Sequence, residues 1–444
     1  MRRKTFTQTQ IIALGFFLMV LVGTLLLMCP FATRTGVSAR PLDALFTATS
    51  ASCVTGLVTC DTYRTWSLFG QLVILMLIQI GGLGFMTIAT LFSFILRRKI
   101  SLRERGILQE SVNSSQIGGI VKLTRMILKG TLLVEGSGAV LLSIRFIPVL
   151  GPAEGIYYGI FHSVSAFCNA GFDLMGRFEA YSSLVQFQTD WFVNLVLIAL
   201  IVTGGIGFLV WKDLCEHTWH WRKYTLHTKI VLTMTFILLF GGALCFWLLE
   251  KNALFAGLDA KGTFWSCMFA SATARTAGFN TVDVAALSDS SKLFNILLMV
   301  VGGSPGSTAG GIKTTTLAVL FIGVWANVRH EEDAAVFGRR LEDDAVKRAS
   351  AILMINVSMA LTASVLICSL NQVPMMDAMF EAFSAIGTVG MTTGITRGLN
   401  VFSKLLLIFM MYCGRVGSLS FALSFAERKR IVPVRQPEEK ISIG

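Results

Sequence analysis

Charge is scarce in this 444-residue chain: only 14% of residues are Asp, Glu, Lys or Arg, while 54% are hydrophobic. Such a balance excludes an ordinary water-soluble domain, because most of the surface has too few polar groups to face water. Nine cysteines are present but no Cys-x-x-Cys pair, so neither a disulfide framework nor a zinc ribbon is supported. The five histidines include His217, His220 and His227, yet no cysteine or carboxylate cluster joins them, and Trp219 and Trp221 mark that stretch as a membrane-surface loop. Paired carboxylates and any nucleophile with an adjacent base are missing from the apolar stretches, which argues against a membrane enzyme.

What is present is apolar length. Stretches at 11–31, 68–96, 131–150, 192–211, 230–249, 351–370 and 404–425 are long enough to cross or nearly cross a bilayer. Another at 293–301 is interrupted by glycines and Pro305 and resumes near Ile312, giving eight expected spans, one of them broken. The first follows Arg2, Arg3 and Lys4, has no small-residue cleavage site after it, and is expected to be retained as a helix. Basic residues concentrate in alternate loops, at 97–105, 212–223, 329–348 and 428–430, so both termini are expected in the cytoplasm. The net charge of +12 is thus a topology signal rather than a nucleic-acid footprint.

Four short segments between the spans are too polar for lipid and too apolar for free loops: 46–56, 161–171, 268–278 and 380–390. Each begins with a large apolar residue, continues with small or hydroxyl residues, and ends in glycine, at Gly56, Gly171, Gly278 and Gly390, spaced by 115, 107 and 112 residues. Glycine clusters beginning at Gly81, Gly204, Gly302 and Gly414 follow 25, 33, 24 and 24 residues later. Two landmarks in register mean four copies of one unit, with quarters at 1–100, 101–225, 226–330 and 331–444.

A segment that enters the membrane and returns is tolerated only where protein buries it or water lines it. Asp43 and Asp377, each 13 residues before its glycine, are expected to cap short helices whose far ends aim carbonyl charge inward. Glycine at the tip then allows the preceding carbonyls to face a common axis, giving candidate ion-binding residues Val54, Thr55 and Gly56; Asn169, Ala170 and Gly171; Thr276, Ala277 and Gly278; and Thr388, Val389 and Gly390. None of these stretches carries an acid, which disfavours a divalent cation and suits a dehydrated monovalent one.

The run from Gly302 through Gly311 holds five glycines and Pro305 and is expected to unwind into a polar intramembrane loop. It fails as a phosphate-binding loop, since Ile312 separates Gly311 from Lys313. Arg275, Lys313 and Arg415 lie in apolar surroundings and are therefore functional candidates, with Arg275 expected to brace its loop. Glu135 is expected to have a structural role, either protonated or paired with a helix-packing partner such as a serine.

The stretches 52–57 and 275–280 resemble the filter motifs of the Trk/Ktr/HKT superfamily of potassium transporters, and the likeness covers nearly the whole chain. It is closer to the bacterial Ktr membrane subunit than to Trk, whose two additional amino-terminal helices are not seen in the chain. The resemblance implies an all-α polytopic membrane protein of four membrane, pore-loop, membrane repeats around one potassium-channel-like pore. Gly56 implies potassium selectivity, since serine at that position goes with sodium preference in some plant members. The resemblance further implies a gate formed by Gly302, Gly303, Ser304, Gly306, Ser307, Thr308, Ala309, Gly310, Gly311 and Lys313, held by Arg415. No cofactor is expected in this chain beyond potassium as the transported ion. A homodimer in the bacterial plasma membrane is implied, with a separate cytosolic ring that binds adenine nucleotides. A secondary cation transporter, coupled to sodium or weakly selective, is the competing expectation, since broken helices also mark alternating-access proteins.

Overall fold

The computed structural model describes residues 7–84, 87–88, 90–91, 102–111, 119–218, 220–331 and 333–417. The basic residues expected at 97–99 and 428–430 lie outside them.

Each of the four units begins with a long apolar helix. These are α1 (Gln8–Leu27) in the first unit and, in the later units, helices spanning Ile120–Leu150, Leu226–Glu250 and Ala345–Asn371, all long enough to cross a membrane. Each then turns into a short re-entrant helix. In the first unit this is α2 (Pro41–Ser52), and the second helix of that unit is α3 (Leu68–Leu83).

In the second unit the long helix is α4 (Ile120–Leu150), the re-entrant helix α5 (Pro152–Phe167), and the second helix α6 (Trp191–Gly205), which turns by 96° into α7 (Phe208–His217). The third unit opens with α8 (Leu226–Phe236) and α9 (Gly242–Glu250), joined by a π-helical turn at Ile237–Gly241. Then come α10 (Ala260–Thr273), α11 (Asp289–Val300) and α12 (Thr314–Val328). A small hairpin, β1 (Ala335–Val336) with β2 (Arg339–Arg340), leads into α13 (Ala345–Asn371), α14 (Met375–Ile386) and α15 (Val401–Val416).

The second helices start alike. Ser67, Asp190, Ser288 and Asn400 each cap one by accepting a backbone N–H through the side chain. They also end alike, which the sequence reading had expected only of the third. The first, second and fourth stop at Gly84, Gly207 and Gly417, whose φ values of 82°, 96° and 96° only glycine adopts freely. The third is interrupted over residues 301–313, as expected. Among the described residues, four long helices thus alternate with four second helices that stop or break at the glycine landmarks.

Asp43 and Asp377 do not cap. Pro41 stands at the first position of one re-entrant helix, where its missing N–H and fixed φ suit the first turn, and Pro374 at the N-cap of another; neither helix start has a side-chain cap. The two acids sit in those first turns, where the helix dipole favours them, and Asp377 also pairs with Lys292 at 3.3 Å. All nine cysteines are free. Among the described residues no group of three or more His, Cys, Asp or Glu is placed to hold a metal; His217 instead bonds Asp213 at 2.9 Å.

Candidate functional site

At the end of every re-entrant helix the backbone makes the same turn. The residue two before the tip glycine has positive φ: Val54 at 57°, Asn169 at 58°, Thr276 at 69° and Thr388 at 51°. Valine and threonine avoid this region, so the surroundings must hold it. The next N–H reaches back into the helix, from Thr55, Ala170 and Val389 to the carbonyls of Ser50, Ser165 and Ser384 at 2.8 Å, and from Ala277 to Thr273 at 3.0 Å. Hydroxyls complete the turn. Ser50 and Ser384 accept from the N–H of Gly56 and Gly390 at 3.0 and 3.1 Å, while Ser165 and Thr273 donate to the carbonyls of Phe172 and Phe279 at 2.7 and 2.6 Å.

The four tips close on one another. A Cβ on Gly56 would lie 2.6 Å from the Ala170 carbonyl oxygen, one on Gly171 2.9 Å from that of Ala277, one on Gly278 2.5 Å from that of Val389, and one on Gly390 2.0 Å from that of Thr55. That sequence of neighbours returns to its start, so the glycines form a closed ring in chain order. A side chain at any of these positions would strain the backbone and push on the neighbouring carbonyl.

Packing behind the ring explains the second landmark. A Cβ on Gly81, Gly204 or Gly414 would meet the carbonyl oxygen of Ser52, Phe167 or Ile386 at 2.1, 1.9 or 2.1 Å, each acceptor being four residues before its ring glycine. Small residues here let the second helix lie against the end of the re-entrant helix.

The third unit departs from this pattern. Its helix stops at Val300, and the loop crosses below the ring, pinned by Gly302 N–H to Ile312 O (2.7 Å) and Thr314 N–H to Gly303 O (3.0 Å). It docks on the bend between α6 and α7, where Ser304 N–H donates to Gly205 O at 2.9 Å and Phe208 N–H to Gly306 O at 2.8 Å. Thr308 Oγ1 donates to Phe167 O at 3.0 Å, Ser307 Oγ closes on Ser304 O at 2.6 Å, and Lys313 Nζ donates to Ala309 O at 2.8 Å. At the other end, Gly310 and Gly311 press against Thr388 and Gly387 of the fourth unit.

Arg415 joins three units. Its guanidinium donates to Thr308 O in the loop and to Gly81 O and Gly82 O (3.0 Å for the latter) at the negative end of α3. With Lys313 it lines a cavity of about 730 Å³ on the side of the ring where α1 begins, reached also by Phe16, Gly306 and Gly311. Thus every residue singled out in the sequence as filter or gate is gathered at the ring or directly beneath it. Arg275 is buried next to the ring, but its Nε has no partner among the described residues, so no brace through that atom is seen. Glu135 accepts from Gln79 Nε2 at 3.0 Å rather than from a serine; Ser163 bonds its backbone carbonyl instead.

Two residues were missed by the sequence reading. Nine before their ring glycines, buried His162 and Glu381 hold the chain that leaves the ring: His162 Nε2 accepts from Leu174 N–H at 3.4 Å, and Glu381 accepts from Thr392 Oγ1 and from Thr396 Oγ1 (2.7 Å for Thr396). Their shared register position was the available signal.

Comparison with known proteins agrees with this architecture. Residues 3–432 match the family model described as TrkH, cation transport protein. The chain is 42% identical to the potassium/sodium uptake protein NtpJ of Enterococcus hirae, over 100% of this chain and 98% of that one. It is 38% identical to the Ktr system potassium uptake protein B of Bacillus subtilis, over 99% and 97%. The crystal structure of the potassium transporter TrkH from Vibrio parahaemolyticus matches with a TM-score of 0.72 at 16% identity, over 96% of this chain and 86% of that one. This all-α polytopic chain belongs to the TrkH cation transport protein family, whose members are ion transporters and not enzymes.

Proposed function

We propose that this protein is the potassium-translocating membrane subunit of a bacterial uptake system. The closed ring of four glycines carries the reading, because it brings four equivalent turns to one axis, where carbonyls can replace the hydration shell of a single monovalent ion. The filter is then residues 54–56, 169–171, 276–278 and 388–390. Movement through it needs no covalent chemistry: a membrane potential favours entry by about 2.3 kcal/mol per charge per 100 mV.

The loop from Gly302 to Gly311 is the gate, latched by Arg415 and stiffened by Lys313. Support comes from its position beneath the ring and from its bonds to the second unit and to Arg415. The relatives' names speak of a Ktr system and of uptake, and we extend this to a homodimer in the cell membrane with both termini cytoplasmic, working with a cytosolic nucleotide-binding ring. A second reading, weak discrimination between potassium and sodium, is favoured by the relative named for both ions.

Gly56→Ser tests the filter. In proteoliposomes, the rubidium-to-sodium uptake ratio is expected to fall about tenfold, the effect of roughly 1.4 kcal/mol at one site. An unchanged ratio would refute the assignment.

A further inference from the structure

The outer side of the ring is braced differently in different units. His162 in the second and Glu381 in the fourth stand nine residues before the ring glycine and bond the chain just after it. In the third unit that position is Phe269, which offers no hydrogen bond, and in the first it is Thr47, whose hydroxyl is also unpartnered among the described residues.

Beside Phe269 lies a chamber of about 10 Å³, lined also by Asn280, Thr281 and Asn295. Asn280 and Thr281 are the second and third residues after Gly278, the stretch that His162 and Glu381 hold in their own units. Asn280 Oδ1, Thr281 Oγ1 and both Asn295 Nδ2 and Oδ1 are buried without a partner among the described residues, and Asn295 is 0% exposed. Leaving a buried polar group unbonded is costly, and here four such atoms belong to residues lining one small space.

We propose that this chamber is a binding site for one water molecule, which links Asn295 to Thr281 and Asn280 and so braces the third turn of the ring. Its volume is close to one probe sphere, roughly the 10–15 Å³ a water requires, and the lining supplies the two to four polar partners that hold one. A water both donates and accepts, as the two ends of the Asn295 amide demand. A dehydrated cation does not suit the site, because Asn295 Nδ2 would face it and no carboxylate lines the chamber. Asn295 is thereby a positioning residue, acting on the ring through water.

The site itself does not depend on the pore reading, whereas its effect on selectivity does. A cryo-electron-microscopy map of the full chain in lipid nanodiscs, at a resolution that shows waters, should place one density about 2.7–3.2 Å from Asn295 and Thr281. A dry chamber, or a metal ion with contacts near 2.3–2.5 Å, would overturn the proposal whatever the filter does. In flux assays Asn295→Leu should lower the rubidium-to-sodium ratio about fivefold, the factor that one net hydrogen bond represents. Adding Phe269→His, which supplies the direct brace of the second unit, should restore most of it. If Gly56→Ser shifts the ratio but Asn295→Leu leaves it unchanged, the brace is refuted and the filter stands.

Discussion

In the first, second and fourth units, Gly81, Gly204 and Gly414 let the last turn of the second helix rest on the carbonyl end of a re-entrant helix. In the third unit the helix ends at Val300, and a glycine-rich strand of chain crosses the same region, bonded to the second unit and touching the fourth. The same landmark thus serves two ends. Where glycines are spaced within a helix they allow close packing; where five and a proline crowd into ten residues, helix formation itself fails. Three units present a helix at this place, and the third presents a non-helical loop.

The largest effect should come from filling one of these helix contacts. Gly414→Val would put side-chain atoms onto the Ile386 carbonyl, and neither backbone can yield. Folded protein recovered in detergent should fall to near nothing, reflecting a cost of about 3 kcal/mol or more. Gly136→Ala, on an open face of α4, should leave recovery unchanged and serves as the control.

Next in size is the latch. Arg415→Gln keeps the packing of α15 but removes the grip on Thr308 O and Gly81 O. Uptake of rubidium at a fixed membrane potential should rise about fivefold, with the ion ratio unchanged. Wild-type flux in this variant would mean that the loop is held by its bonds to the bend at Gly204 to Phe208 alone.

The smallest effect belongs to the turn itself. Ser384→Ala removes the acceptor for Gly390 N–H while leaving the ring's shape to the remaining bonds. A loss of roughly 1 kcal/mol in thermal stability is expected, with a rubidium-to-sodium ratio changed by less than about threefold. Ser50→Ala should match it, because Ser50 plays the same part for Gly56.

Much of this could be read from spacing alone. Gly56, Gly171, Gly278 and Gly390 stand out because a position that requires positive φ and admits no Cβ leaves little choice of residue. The loop was legible for the same reason, from Gly302 to Gly311. The breaks at Gly84, Gly207 and Gly417 were not, because a small glycine cluster inside an apolar run is also ordinary helix packing, and only the backbone angle tells the two apart. His162 and Glu381 were hidden by chemistry: a histidine and a glutamate share a register but no resemblance, and their common task shows only once the partners Leu174, Thr392 and Thr396 are in place. Arg415 could be flagged as costly in its surroundings, whereas its three carbonyl partners come from chain more than a hundred residues away.

Because the ring is closed within a single polypeptide, each of its quarters can vary independently. In an assembly of four identical chains, one codon change would strike all four positions at once, and a mild preference among ions would be hard to reach by small steps. Here substitution at Gly56 leaves Gly171, Gly278 and Gly390 as they were, so under the proposed function ion preference can be graded quarter by quarter.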